Sequence, residues 1–230
     1  MSQHDAWEKE YRKPKLVTLS EEPHNDVRKF WRFLKKESGS NPSAFRVLDL
    51  GSGTGKHAFY FAELGASVVG MEISETAIAL AKKRVVAENL NVQFLHADIG
   101  KPYPFDLADF DLVLDVLSSN SLNETERETY LHETYRTLKP DGWLFVKILC
   151  KDRDENARAL LVTNPGKEKD TYTIKEIGLT ERVFSRNDFE NTYGKYFSIR
   201  KLEKSSSYTL FNNRRYKRNF WIAYCQKKTG

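Results

Sequence analysis

Apolar residues along this chain follow two spacings that alternate. Short apolar runs predict buried strands over 45–50, 66–72, 92–98, 110–116 and 143–149. Between them the apolar residues fall three and four apart, as in Ala58, Phe61 and Ala62, in Ile78, Ala81 and Val85, and in Leu131, Tyr135 and Leu138. That spacing places them on one face of a helix. Upstream, Val27, Phe30, Trp31 and Leu34 predict an amphipathic helix over 24–36, with Pro23 near its start and Ser38-Gly-Ser-Asn-Pro-Ser43 as the linker that ends it. Polar punctuation agrees with this division. Gly65 is placed to end one helix, Ser74 to cap the next, and Asn123 with Glu126 to form a capping box. Five strands alternating with helices over short connections predict an α/β fold with a parallel sheet covered on both faces.

Outside residues 45–150 the texture changes. Residues 151–183 are charge-rich, with a Pro165-Gly166 turn and a short strand expected over 171–174. Ser185 and Asp188 mark a helix start running through Tyr193. Residues 197–209 and 216–227 then read as two strands around an Asn212-Asn213 turn, a hairpin. At the other end, Trp7 and Tyr11 would share one helical face, and Leu16 and Val17 add anchors, so residues 1–20 are expected to dock on the domain.

The chemistry begins at Asp49-Leu-Gly51-Ser52-Gly53-Thr-Gly55, between the first strand and its helix. Glycines here permit a tight turn and bring a ligand close to main-chain N–H groups at a helix N-terminus. A dinucleotide loop, G-x-G-x-x-G, would need glycine at position 56, which is Lys56. Glu72 ends the second strand 21 residues after Gly51, an interval suited to accepting from both hydroxyls of a ribose. Asp98 ends the third strand and Asp115 the fourth, which leads into Leu117-Ser-Ser-Asn-Ser-Leu122.

With its glycine loop, these strand-end acids and Lys139-Pro-Asp-Gly142 before strand five, the chain resembles the class I S-adenosylmethionine (SAM) dependent methyltransferases. The resemblance implies a doubly wound seven-stranded sheet, mostly parallel with a C-terminal antiparallel hairpin, over a single domain. It divides into an N-terminal cap (1–44), a SAM-binding core (45–150), a substrate lid (151–195) and the hairpin (196–230). It also implies SAM as cofactor, held by Asp49, Gly51, Ser52, Gly53, Gly55, Glu72 and Asp115, with Asp98 accepting from the adenine amino group and Ile73 and Ile99 packing on the ring. Trp7 and Tyr11 would close over the cofactor. The implied strand order sets Cys150 opposite about Asn219 and Cys225 opposite about Leu144, roughly 20 Å apart and unable to pair.

Composition narrows the reading. The 230 residues suit one large domain, and 40% hydrophobic with 30% charged residues is the balance of a soluble globule. No apolar run nears the roughly 18 residues that span a bilayer, and the first residues show no signal-peptide pattern. Two cysteines without metal-ligand spacing fit a reducing, cytoplasmic setting, and no metal is expected. The net charge of +5 concentrates after residue 200, where eight basic residues stand against Glu203.

Methyl transfer from a sulfonium is an in-line displacement with a neutral leaving group, so positioning matters more than acid catalysis. Asp115 is the candidate base and Asn120 a candidate orienter, with His57 behind them, while His96 and His132 are assigned to structure. Strand four lacks the N/D-P-P-Y/F tetrad of exocyclic-amine methylation, and neither cysteine follows proline as a cytosine C5 nucleophile would. The first reading is a methyltransferase for a small-molecule acceptor. The second is an RNA or protein methyltransferase docking on Arg214, Arg215, Lys217 and Arg218 with Tyr208, Phe211 and Tyr216. On consecutive strand positions those charges point to opposite faces, which disfavours nucleic acid. A binding module or nicotinamide oxidoreductase is the third.

Overall fold

The computed structural model describes residues 2–16, 20–39, 41–88 and 90–228. Val17, Ser40 of the linker and Asn89 lie outside the described residues. The strands are β1 (Arg46–Leu50), β2 (Ser67–Glu72), β3 (Val92–His96), β4 (Phe110–Val116), β5 (Leu138–Leu149), β6 (Thr171–Ile174), β7 (Leu179–Arg182), β8 (Phe197–Phe211) and β9 (Arg214–Lys227). The helices are α1 (Gln3–Arg12), α2 (Asn25–Ser38), α3 (Lys56–Glu63), α4 (Glu75–Glu88), α5 (Glu124–Thr137), α6 (Glu155–Thr163) and α7 (Arg186–Tyr193).

Seven strands form one sheet in the order β3-β2-β1-β4-β5-β9-β8. Pairing is parallel from β3 to β5 and antiparallel from β5 through β9 to β8. Two apolar layers hold it. Val27, Phe30, Trp31 and Leu34 of α2 pack with Phe59 and Phe61 of α3 on one face, and Tyr130 and Leu131 of α5 with Phe189 and Tyr193 of α7 on the other. Each side chain is buried because the helical spacing stacks it in one stripe against the sheet.

The expected caps form. Ser74 Oγ accepts from Ala77 N at 3.2 Å, and Asn123 and Glu126 complete a reciprocal capping box. Gly65, at φ 97°, ends α3 in the left-handed region that glycine occupies without penalty.

Several boundaries differ from the sequence reading. Strand five starts at Leu138 rather than 143: Phe110 pairs with Leu138 and Leu112 with Trp143, so Lys139-Pro-Asp-Gly142 bulges out of an unbroken strand. In residues 151–195, α6 and β7 accompany the expected β6. Asp154 caps α6 by accepting from Ala157 N at 2.7 Å, yet only Ala157 of that helix is fully buried, so its apolar stripe is too thin to stand out. The hairpin turn at Asn212-Asn213 has both residues at positive φ, 47° and 59°, which matches the twist of the flanking strands.

The cysteines lie as the strand order requires. Leu144 pairs with Cys225, Cys150 N donates to Asn219 O at 2.9 Å, and both thiols are free and buried. No helix among the described residues is long and apolar enough to cross a membrane.

Candidate functional site

A cavity of about 1830 Å³ opens over the carboxyl ends of β1, β2 and β4. It exceeds the roughly 300–1,000 Å³ of a single-ligand pocket, so two reactants fit side by side. Its floor is the glycine loop. Gly51 and Gly53 have φ of 64° and 56°, and a Cβ on either would fall 2.4 Å from Ser118 Oγ or from Tyr11 Oη respectively. Both glycines are therefore fixed by backbone conformation and by what crosses above them. Ser52 is buried between them, its Oγ unpartnered among the described residues.

Glu72 lies at the edge of this floor, buried at the end of β2. Its carboxylate accepts from Gly53 N at 2.9 Å and from Ile73 N and Ser74 N at 2.8 Å. Three acceptances leave capacity on a group with about four lone-pair sites, while tying the glycine loop to the start of α4. Burial raises the Glu72 pKa, and the three amides oppose that shift. Ile73, Asp98 and Ile99 continue the wall toward β3, with Asp98 Oδ1 accepting from Gly100 N at 2.8 Å.

Not every candidate reaches the cavity. Asp115 is completely buried beneath it, where it accepts from Ser118 N at 3.1 Å, Ser119 N at 3.2 Å, the Ser119 hydroxyl and Tyr130 Oη at 2.8 Å. With its oxygens taken by protein donors, Asp115 does not line the cavity and ties the loop after β4 to α5. Asp49 is likewise buried under the glycine loop, its pKa raised to about 8 by burial. Gly55 is the N-cap of α3, and a Cβ there would strike the rings of Phe94 and Phe59. Neither Asp49 nor Gly55 lines the cavity.

Asn120 does face it. The Oδ1 atom accepts from Leu149 N at 3.0 Å, which fixes the amide, and Nδ2 is left without a partner among the described residues. His57 also lines the cavity, its Nε2 accepting from His24 N at 3.4 Å. Burial holds the His57 pKa well below its ordinary value, so the ring is neutral. His96 instead meets Ile73 O at 2.9 Å and His132 meets Glu133, both in structural contacts.

The N-terminal helix reaches the same place. Glu8 of α1 accepts from Ser74 Oγ at 2.7 Å and Thr76 Oγ1 at 2.6 Å, pinning α1 to the first turn of α4. Trp7 and Tyr11, with ring centroids 6.4 Å apart, then both line the cavity. The lining also includes Lys56, and Lys147, Ser121 and Arg182, to which sequence patterns assigned no role. Lys147 pairs with Asp26 at 2.8 Å, and Lys56 Nζ lies 3.3 Å from His24 Nε2. A lysine inside β5 was the available signal, because a charge on a buried strand requires a partner or a role.

The basic hairpin divides as consecutive strand positions require. Arg214, Arg215 and Lys217 are exposed, while Arg218 is buried and donates to Asp154 Oδ2 at 3.3 Å and Tyr172 Oη at 2.8 Å. Tyr172 Oη donates on to Glu181 at 2.6 Å, so this network ties β9 to the β6–β7 pair.

Comparison with known proteins adds to this geometry. Residues 47–142 match the family model described as a methyltransferase domain. A demethylmenaquinone methyltransferase of Clavibacter sepedonicus is 33% identical over 116 residues, which is 50% of this chain and 46% of the relative. An uncharacterised methyltransferase of Schizosaccharomyces pombe is 33% identical over 112 residues, covering 49% of this chain and 77% of the relative. The chain spans about half the length of the first of these relatives. Among solved structures, a SAM-dependent methyltransferase of Methanosarcina mazei superimposes with a TM-score of 0.72 at 22% identity, covering 81% of this chain and 93% of the other. A Burkholderia thailandensis 1,6-didemethyltoxoflavin N1-methyltransferase, solved with its namesake acceptor and S-adenosylhomocysteine, gives 0.66 at 18% identity, over 89% and 79%.

Proposed function

We propose, from the premise that this chain belongs to the class I SAM-dependent methyltransferases, that it methylates a small-molecule acceptor inside the cavity described above. The observation that carries this reading is concavity, a cleft walled on several sides and open on another. The cavity is walled by the glycine loop, by α1, by the loop after β4, by the β6–β7 pair and by the far half of the β8–β9 hairpin. Such a site admits a metabolite more readily than a folded macromolecule. Relatives whose names state an acceptor, demethylmenaquinone and 1,6-didemethyltoxoflavin, act on small molecules.

The residues present fit the cofactor. Gly51 and Gly53 would let its chain lie against the loop, Glu72 would take a ribose hydroxyl on its remaining lone pair, and Asp98 with Ile73 and Ile99 would frame the base. Ser52 Oγ supplies an unpartnered polar atom at the floor. When bound, SAM supplies an electrophilic methyl on a sulfonium. The chain's own contribution is to hold the acceptor in line and keep water out, and orientation alone supplies roughly 7–11 kcal/mol of a barrier. Asn120 Nδ2 is placed to donate to the acceptor and orient it. Asp115 has no free lone pair for proton transfer, so the acceptor must arrive deprotonated or lose its proton to another group.

Calorimetry tests the cofactor. S-adenosylhomocysteine should bind and NADH should not, and the reverse result would sink the reading. Incubation with methyl-labelled SAM and fractionated metabolites, RNA and protein tests the acceptor class: label should enter a metabolite. Replacing Arg214 and Arg215 by Gln should leave that labelling intact, whereas submicromolar RNA binding lost in the double variant would favour the macromolecular reading.

A further inference from the structure

Where the loop after β4 meets the β6–β7 pair, four buried polar atoms have no hydrogen-bond partner among the described residues: Asn120 Nδ2, Ser121 Oγ, Arg127 Nε and Arg182 Nε. Asn120, Ser121 and Arg182 line the cavity, and Arg127 lies behind them, 2% exposed. The two arginines, one on α5 and one on β7, stack on the Phe184 ring, their guanidinium carbons 5.4 Å and 4.6 Å from its centroid.

Neither guanidinium has a carboxylate within 4.0 Å among the described residues. Arg127 donates to the carbonyls of Ser119, Leu122 and Asn123. The charges of Glu168 and Asp188 act on this pair, the first on Arg127 and the second with Arg182. Glu168 accepts from Glu124 N at 3.2 Å and Asp188 from Ser185 Oγ at 2.6 Å, so both are turned to other donors. Burial, and then the charge of Arg182, lower the Arg127 pKa to about 10. Two like charges sharing one ring in a buried wall are costly without an anion.

We propose that this corner binds an anionic oxygen group of the methyl acceptor, a carboxylate or a phosphate ester, with Arg182 as its ion-pairing partner and Asn120 and Ser121 as hydrogen-bond donors. A guanidinium fork matches two oxygens of such a group, and Arg127 adds positive potential from behind. The acids Glu72 and Asp98 stand at the other end of the cavity, at the ends of β2 and β3. This inference rests on the methyltransferase reading and narrows its substrate to organic anions.

The test is calorimetry on the full chain saturated with S-adenosylhomocysteine, titrated with benzoate, phenyl phosphate and benzamide. At least one anion should bind with a Kd below about 10 mM and the neutral amide at least about tenfold more weakly; preference between the anions names the group. Arg182→Gln should weaken the anion about tenfold or more, with Arg182→Lys intermediate, because lysine keeps the charge and loses the fork. Thermal unfolding of both variants checks that they remain folded, and if Arg182→Gln does not fold, Arg182→Lys alone decides.

Equal binding of benzamide, no anion binding by about 10 mM, or unchanged affinity in the folded variant overturns the proposal. So does a loss of S-adenosylhomocysteine affinity in Arg182→Gln with 5′-methylthioadenosine affinity unchanged, which would assign the corner to the cofactor's own carboxylate. Failure of the native chain to bind S-adenosylhomocysteine sinks the cofactor reading instead. The anion titration on the free protein then decides the corner by the same criteria.

Discussion

At the end of β2, Glu72 holds three backbone amides and still faces the cavity, whereas at the end of β4, across β1, Asp115 holds two amides and two hydroxyls and faces only protein. Both are buried acids that close an apolar strand. They differ in what covers them. Glu72 meets the loop and α4 from the side, leaving one flank open, while α5 and α7 bring Tyr130 and Tyr193 over Asp115. A strand-end carboxylate is thus left open to the cavity or closed over by protein according to the helix that crosses it.

The largest test removes the anchor. Asp115→Ala should cost about 3–5 kcal/mol, because Tyr130 Oη and the Ser119 hydroxyl are left buried and unpaired. Urea unfolding measures this, and a loss under about 1 kcal/mol would show that Asp115 is no anchor. Glu72→Ala should behave in the opposite way: S-adenosylhomocysteine affinity falls at least about tenfold, by lost ribose contacts and a loosened Gly53, while the fold survives. Unchanged affinity by calorimetry would make the two acids alike.

Smaller changes sharpen the contrast. Tyr130→Phe removes one hydroxyl from Asp115 and should lower stability by about 1 kcal/mol without altering cofactor affinity. Were cofactor affinity to fall instead, the β4 end would be coupled to the ligand. A further test concerns pH dependence. Asp49 has its folded pKa raised to about 8 against an ordinary 3.8, so the folded state holds its proton more tightly than the unfolded chain does. Its contribution to stability is complete below the ordinary value and is lost as pH rises toward about 8. Asp49→Asn should remove that part of the slope, and parallel Tm–pH curves for variant and native protein would contradict it.

These contrasts explain what could be read from the chain alone. The glycine loop and the caps were legible because each depends on local backbone conformation or on spacing within one element, whereas the strand order came only with the family resemblance. The place of Glu72 at the strand end beside the glycine loop was legible for the same reason, its distance from Gly51 being a property of one strand–helix–strand unit. Asp115 carries the same outward signature, and the Tyr130 hydroxyl that occupies it comes from the next helix, where nothing in the strand's own sequence announces it. Arg127 and Arg182 were silent in sequence, 55 positions apart and joined only through Phe184. The α6 helix was missed because one buried alanine leaves almost no periodic stripe.

The hairpin carries a consequence for how such a chain can change. Strand β9 pairs with β5 only over residues 220–226, whereas pairing with β8 continues out to Phe211 and Arg214. The five pairs from Ser207 with Arg218 to Phe211 with Arg214 therefore form a two-stranded ribbon beyond the sheet, and Tyr208, Leu210, Phe211 and Tyr216 on it line the cavity. Adding or deleting two residues on each arm would move the tip by about 7 Å while every remaining side chain keeps its face. Cavity depth is adjustable at this ribbon by insertions of even length, with the glycine loop, the five parallel strands and both apolar layers untouched.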